Sequence, residues 1–408
     1  MAWLGEELPD DQQSGRTPFA PHCLKDLVEE RLFAARRDLF TDLSVVFLDT
    51  TTLAFTGRGG KTLGRRGYSK DHRPDLMQMV LGVVLDGDGR PVCTEMWPGN
   101  TADVGVLVPV IDRLRTRFAI GRVCVVADRG MISGETIKAL EDRKLTYVLG
   151  ARERTDKLVR EVVLADDGPF VPIVVPRASG KETELAAKAV TVAGIRYIVC
   201  RNEAEATKDA ADRQAIVAAL ERQLKKGDKA LVGNSAYRRF LTAAGPRFAI
   251  DREKVTAEAR FDGLFVLRTN DAQLTPLQAM LRYRELLVVE QLFRTAKSLL
   301  RTRPIYHSSD AAIRGHVFCS FLALVLRKEL EDRCAAARLK PEWTDVLLDL
   351  DRLQEVELEQ DGKRLLLRTP ATGVAGRLFQ AARVALPPNS RDAHLSRARP
   401  PNPHQPWC

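Results

Sequence analysis

No run of about 18 uninterrupted apolar residues occurs in this 408-residue chain, so nothing in it reads as a membrane-spanning helix. The longest apolar run, 317–326, is bounded by Arg314 on one side and by Arg327 and Lys328 on the other. The first fifteen residues are acidic and lack an apolar h-region, so no secretory signal peptide is expected in them. The seven cysteines form no CxxC pair, and no His/Cys spacing suggests zinc. Reduced thiols in a cytoplasmic protein fit that scatter. No GxGxxG follows the first strand and no Walker pattern is present, so dinucleotide and P-loop chemistry are not indicated. A nucleophile motif and internal repeats are likewise absent. Tryptophan is rare, and none lies in 151–262, so no aromatic can be named there for stacking on a flipped base. What remains is an ordinary globular composition, 45% hydrophobic and 29% charged, long enough for two or three structural units. The net charge of +9 points mildly to a polyanionic partner.

Taken in order, residues 1–43 form an N-terminal segment with helical spacing over 24–40, at Leu27, Leu32 and Leu39. The run 44–48 is apolar and β-branched, a buried strand that finishes on Asp49. A glycine-rich basic loop occupies 57–67. Two apolar runs, 77–85 and 92–97, flank Asp86-Gly87-Asp88-Gly89, a hairpin signal that makes the first three strands antiparallel neighbours. Thr101 caps a helix reaching about Arg117, a second buried strand at 123–127 ends on Asp128, and a helix at 133–144 leads to a strand at 145–149. Strand, strand, strand, helix, strand, helix, strand is the opening of a ribonuclease-H-like sheet, placed here at 44–150. From 151 to 262 the texture is that of a β-rich insertion, with short strands at 158–164, 170–175, 189–192 and 195–199 and one long charged helix at 204–226. The core resumes over 263–345, with a strand at 263–268, a helix at 281–300 and, past Pro304, a second apolar helix at 310–332. A C-terminal helix and hairpin fill 346–386, and the Pro-rich tail 387–408 is read as disordered. The fold class is therefore α/β: a ribonuclease-H-like mixed sheet with helices, interrupted by a β-rich insertion before the helix that carries Glu290.

The helix at 281–300 organises the chemistry. Leu286, Val289, Phe293 and Ala296 make one apolar stripe, Glu290 sits beside it, and Tyr283 and Lys297 lie seven residues to either side, on nearly the same face. Singly, Asp49 and Asp128 are ordinary turn acids and Glu290 is the polar edge of a core helix. Together, two strands ending on aspartates and a helix bringing a glutamate supply the oxygen ligands that hard cations take. Two Mg²⁺ or Mn²⁺ ions about 3.5–4 Å apart on such ligands serve phosphodiester displacement. Arg58, Lys61, Arg65, Arg66, Lys70 and Arg73 after the first strand, with Arg294, Arg301 and Arg303 after Glu290, are candidate phosphate contacts that position DNA without reading its sequence.

LDTT at 48–51, ADRGM at 127–131 and Tyr283-x6-Glu290-x6-Lys297 resemble the DDE transposases of bacterial insertion sequences. The similar branch carries a β-rich insertion before its glutamate and a Y-x2-R-x3-E-x6-K signature. GRRGYSKDHRPD (64–75), WPGNTAD (97–103), FDGLFVLRTN (261–270) and RPIYH (303–307) also look like strings of that branch, so the resemblance covers roughly 25–385. It implies that Asp49, Asp128 and Glu290 are the catalytic, metal-binding triad, with Asp49 bridging two metals. It also implies that Tyr283 and Lys297 contact the DNA backbone near the cleaved end. The implied activity is metal-dependent cleavage at the element ends and strand transfer into target DNA, by a homodimer on double-stranded DNA in the cytoplasm. Two features depart from the pattern. Leu286 stands at the signature arginine, and on a continuous helix Arg284 points about 200° away from that position. Only about 43 residues precede the first catalytic strand, which suggests a truncated reading frame. The alternatives are a truncated, inactive DNA-binding remnant and a nuclease or resolvase on the same core.

Overall fold

The β-branched apolar runs form the strands of one large sheet in the computed structural model of the chain, which describes residues 1–13, 16–17, 20–36, 45–119, 123–176, 182–225, 239–244, 247–360 and 363–392. The elements of the first part are α1 (Leu24–Arg36), β1 (Val45–Ala54), β2 (Gln78–Leu85), β3 (Pro91–Pro98), α2 (Leu107–Phe118), β4 (Cys124–Ala127), α3 (Gly134–Asp142) and β5 (Thr146–Gly150). Then follow β6 (Val171–Pro176), β7 (Glu182–Val192), β8 (Ile195–Arg201), α4 (Glu203–Leu224), β9 (Leu241–Ala244), β10 (Arg247–Ile250) and α5 (Arg252–Ala259). The chain returns through β11 (Leu264–Thr269), α6 (Pro276–Arg284), α7 (Leu286–Ser298) and α8 (Asp310–Ala336). It ends with α9 (Trp343–Asp351), β12 (Glu355–Gln360), β13 (Lys363–Arg368), α10 (Ala375–Ala382) and β14 (Ser390–Asp392). Residues 1–321 and 322–408 form two units, each described by itself.

In the first unit, nine strands pair in the order β3-β2-β1-β4-β5-β11-β8-β7-β6. β1 runs antiparallel to β2 and parallel to β4, and β4 runs parallel to β5. This is the mixed α/β, ribonuclease-H-like sheet read from the sequence. β4 is buried on both faces, as a central parallel strand should be. One face packs Phe47, Val126 and Val148 against Leu286, Val289 and Phe293 of α7 and Ile313 and Val317 of α8. The other packs Leu48, Val125 and Tyr147 against Val110, Ile111 and Leu114 of α2 and Leu140 of α3. In the second unit, Cys334, Val346 and Leu378 form the core, beside the three-stranded sheet β12-β13-β14.

Five local readings change. Thr101 does not cap a helix: a 3-10 turn occupies Asp103–Gly105 and α2 starts only at Leu107. β1 does not finish at Asp49; the threonines after it are β-branched and pair on with β2, from Asp49↔Val83 to Ala54↔Gln78. The expected strand at 158–164 is a π-helical turn over Val159–Val163, because Asp156 accepts the Leu158 and Val159 N–H groups and Val159 and Val163 are both buried. The helix over 281–300 is two helices meeting at Glu285. At the tail, Ser390–Asp392 pairs with β13 instead of lying loose, while 393–408 fall outside the described residues. The first residue of the expected strand at 44–48, and 37–40 of the first helix, fall outside them as well. β6, β7 and β8 of the inserted segment continue the main sheet, joined to β5 through β11.

α1 is held by charge more than by apolar contact. Lys25, Asp26 and Glu29 on α1, Glu95 on β3 and Arg113 on α2 are buried, and the side chain of Arg117 on α2 is enclosed with them. Arg117 pairs with Asp26 at 3.1 Å, Glu29 at 2.7 Å and Glu95 at 3.3 Å, and Lys25 pairs with Asp26 at 2.7 Å. Burial opposes ionisation of Asp26, but Lys25 and Arg117 hold its carboxyl well below the usual range. A buried network of this kind tolerates no missing partner. Arg117→Ala is expected to destabilise the fold by about 3–5 kcal/mol, read as a lower midpoint in urea unfolding.

Candidate active site

Leu48↔Ala127 is the last parallel pair between β1 and β4, so Asp49 and Asp128 come next on adjacent strands. Side chains alternate along a strand, and Phe47 and Val126, two residues earlier, lie in the layer under α7. Both aspartates are thereby aimed at the helix that carries Glu290. All three carboxylates line one cleft of about 780 Å³, with Lys70, Asp71, Tyr283, Arg284, Arg294 and Lys297. Burial pushes the Asp49 carboxyl up to about 6; Lys70 and the Thr50 N–H oppose this, and Asp128 and Asp103 add to it. The Thr50 N–H donates to Asp49 Oδ1 at 2.7 Å. Lys70 Nζ lies 3.8 Å from Asp49 Oδ1 and 3.3 Å from Asp103 Oδ2, and donates to the Thr50 carbonyl at 2.6 Å. Thr50 Oγ1 donates in turn to Asp103 Oδ1 at 2.7 Å.

The Tyr283 hydroxyl donates to Asp128 Oδ1 at 2.8 Å. Gly150, at the end of β5, makes room for it: a Cβ there would stand 2.6 Å from the Tyr283 oxygen. Burial and the neighbouring Asp128 push the phenol far above its ordinary pKa, so it stays a donor. In the last turn of α7, Lys297 Nζ donates to Asp71 at 3.1 and 3.2 Å, and Arg303 pairs with the same carboxylate. Arg58, Lys61, Arg65, Arg66, Arg73 and Arg301 are exposed and outside the cleft lining. Arg65 donates to the carbonyls of Gly64 and Lys61, and Arg73 grips Asp75 through two 2.8 Å hydrogen bonds.

The break at Glu285 changes the geometry that a continuous helix would impose. α6 starts on a capping box, Thr275 with Gln278, and has Pro276 in its first turn. At its end the Glu285 N–H turns back to the Arg282 and Tyr283 carbonyls, and α7 restarts with the Val288 N–H on the Glu285 carbonyl at 2.9 Å. Leu286 is buried in the core under α7, and Arg284 lines the cleft instead of pointing away from it. Sequence reasoning missed Arg284 for this reason, and it also missed Asp71 and Asp103, whose partners come from distant segments. Asp103 and Asp71 both lie in motif strings noted above, the one signal that singled them out.

Among the described residues, no three His, Cys, Asp or Glu side chains are gathered closely enough to hold an ion as they stand. The cleft therefore presents three carboxylates on separate elements, ringed by cations. That arrangement suits an anionic polymer that brings charge-balancing cations with it. Among the described residues no helix is long and apolar enough to cross a membrane.

Comparison with solved structures finds partial overlaps. A piggyBac transposase synaptic complex with hairpin DNA is 12% identical over 73% of this chain and 49% of that one, with a TM-score of 0.37. Two Mos1 structures, a paired-end complex with the left transposon end and a mariner paired-end complex with Mn, are each 17% identical. The first covers 36% of this chain and 44% of that one at a TM-score of 0.18, the second 34% and 43% at 0.17. This chain thus spans about half the length of the piggyBac protein. No curated protein matches the sequence. The sequence profile described as "Transposase DDE domain" matches residues 40–326, from ahead of the strand bearing Asp49 to beyond the helix bearing Glu290, and the chain belongs to that family.

Proposed function

We propose that this chain is the transposase of a bacterial insertion sequence, which cuts DNA at the ends of its element and joins the freed 3′-OH to target DNA. Asp49, Asp128 and Glu290 hold two Mg²⁺ or Mn²⁺ ions in this reading. The observation that carries it is the shared cleft, to which β1, β4 and α7 each deliver one carboxylate. The donor set fits hard cations, being oxygen only, and half-buried Asp49 gains from one because desolvation and Asp128 both disfavour its charge. Such ions, when bound, activate an attacking oxygen and stabilise the leaving oxygen of a phosphodiester.

The chain's own residues then have distinct tasks. Tyr283 fixes one oxygen of Asp128, which sets the direction of the other. Lys70 and the Thr50 N–H do the same for Asp49. Lys297, Arg294 and Arg284 line the same cleft and offer cations to the phosphates of the strand being cut. Arg284 offers a guanidinium in place of the one missing at Leu286, which supports an active enzyme over an inactive remnant. The exposed Arg58, Lys61, Arg65, Arg66, Arg73 and Arg301 extend the basic surface for double-stranded DNA, the terminal repeats first and the target later. Two ends have to be handled together, which calls for a homodimer.

Glu290→Gln keeps size and removes the charge a hard cation needs. Cleavage of a labelled element end in Mg²⁺ should fall by orders of magnitude while DNA binding stays equal or tightens slightly. Wild-type rates in that variant would remove Glu290 from the metal site. Replacing Arg65 and Arg66 together by alanine should weaken binding on any sequence and flatten the slope of log affinity against log salt by roughly 0.9 per lost phosphate contact. An unchanged slope would show that this loop faces solvent in the complex.

A further inference from the structure

Asp71 lies between β1 and β2 and meets two cations brought by other segments. Lys297 Nζ, from the last turn of α7, donates to both of its oxygens at 3.1 and 3.2 Å. The Arg303 guanidinium, from the connection to α8, pairs with the same carboxylate. Left alone, these two cations would repel each other and splay apart. The Lys297 side chain is only 13% exposed. Burial disfavours its ammonium and lowers its pKa, with Arg303 and Lys70 pushing the same way, and Asp71 opposes all three. The charged groups around Lys297 are Asp71 and Lys70 of the β1–β2 connection, Arg303 beyond α7, and Glu290 and Arg294 on α7 itself. Among the described residues Asp71 is the acid that pairs with it.

We infer that Asp71 is a positioning residue for strand cleavage: it holds Lys297 and Arg303 side by side as a two-cation seat for one phosphate of the bound DNA. The inference rests on the reading of the cleft as the DNA-cutting site. It reverses the usual expectation, since removing an acid from a DNA-binding cleft should by charge alone strengthen binding. Here the loss of Asp71 frees the two cations to separate and leaves a buried ammonium without its counter-ion. Lys297 grips phosphate only when protonated, so its contribution is present below its pKa and lost as pH rises through it. Without Asp71 that loss arrives at lower pH.

The test is binding of a fluorescein-labelled duplex of arbitrary sequence to the full chain, without metal, between about pH 6 and pH 9. Asp71→Asn should bind about tenfold more weakly than wild type at the upper end and regain most of the difference at the lower end. Asp71→Glu should stay near wild type. Lys297→Ala should be weak throughout, and adding Asp71→Asn to it should cost less than in the wild-type background, because Asp71 acts largely through Lys297. General damage to the fold would instead add in full and show no recovery at low pH. If Asp71→Asn binds equally or more tightly at every pH while Lys297→Ala is weak, Asp71 is a competitor for these cations and the inference is wrong, though the cleft still binds DNA. If Lys297→Ala binds as wild type does, the DNA reading of the cleft falls along with it.

Discussion

The parallel pairing of β1 with β4 is the constraint on which the candidate site depends. Its register sets Leu48 against Ala127, and so makes Asp49 and Asp128 neighbours although 78 residues lie between them. The pleat then decides the face. A slip of one residue would send one aspartate to the side covered by α2 and α3 and leave the other under α7. Both strands are buried on both sides, so the same slip would break two apolar layers at once. The packing that stabilises the sheet also sets where two carboxylates stand, and hydrogen bonds from Tyr283 and the Thr50 N–H then set their orientation.

The two charge clusters of this chain illustrate opposite uses of burial. Around α1, three cations and three anions are enclosed together and compensate one another; their work is to seat a helix. In the cleft the acids outnumber their close partners near Asp49 and Asp128, and the carboxyl of Asp49 is pushed up to about 6 mainly by burial. Such an imbalance costs stability in the free protein. The Tyr283 hydrogen bond to Asp128 and the Lys70 contacts to Asp49 keep the arrangement ordered meanwhile.

Much of this was legible in the sequence. Apolar β-branched runs gave β1, β2, β3 and β4; Asp86-Gly87-Asp88-Gly89 gave the β2–β3 turn; Asp49, Asp128 and Glu290 were marked by their positions taken together and by the resemblance of their motifs. What was not legible has physical causes. Three threonines after Asp49 looked like a strand ending, yet β-branched residues extend a strand when a partner as long as β2 is available. Val159 and Val163 sit four apart, compatible with a short strand until Asp156 caps the turn and tips it to a helix. Nothing in 281–300 announces the break at Glu285, since no proline or glycine stands there, and with it the direction of Arg284 was lost. The strand order was also hidden. β11 lies between β5 and β8, a placement set by long-range pairing that local periodicity does not encode. Asp71 and Lys297, 226 positions apart, meet for the same reason.

That strand order has a consequence during synthesis. A nascent chain that has emerged as far as Gly150 can assemble β3, β2, β1, β4 and β5, with both aspartates in register, but one edge of β5 stays bare until β11 arrives more than a hundred residues later. The helix carrying Glu290 comes later still. Domains form from the N-terminal side as they leave the ribosome, and unpaired edges in such intermediates invite association. An interrupted translation product ending between Asp128 and α7 would thus hold two of the three cleft carboxylates, with no third to complete the set. The placement of one helix late in the chain makes the completed cleft a property of chains synthesised through α7 alone.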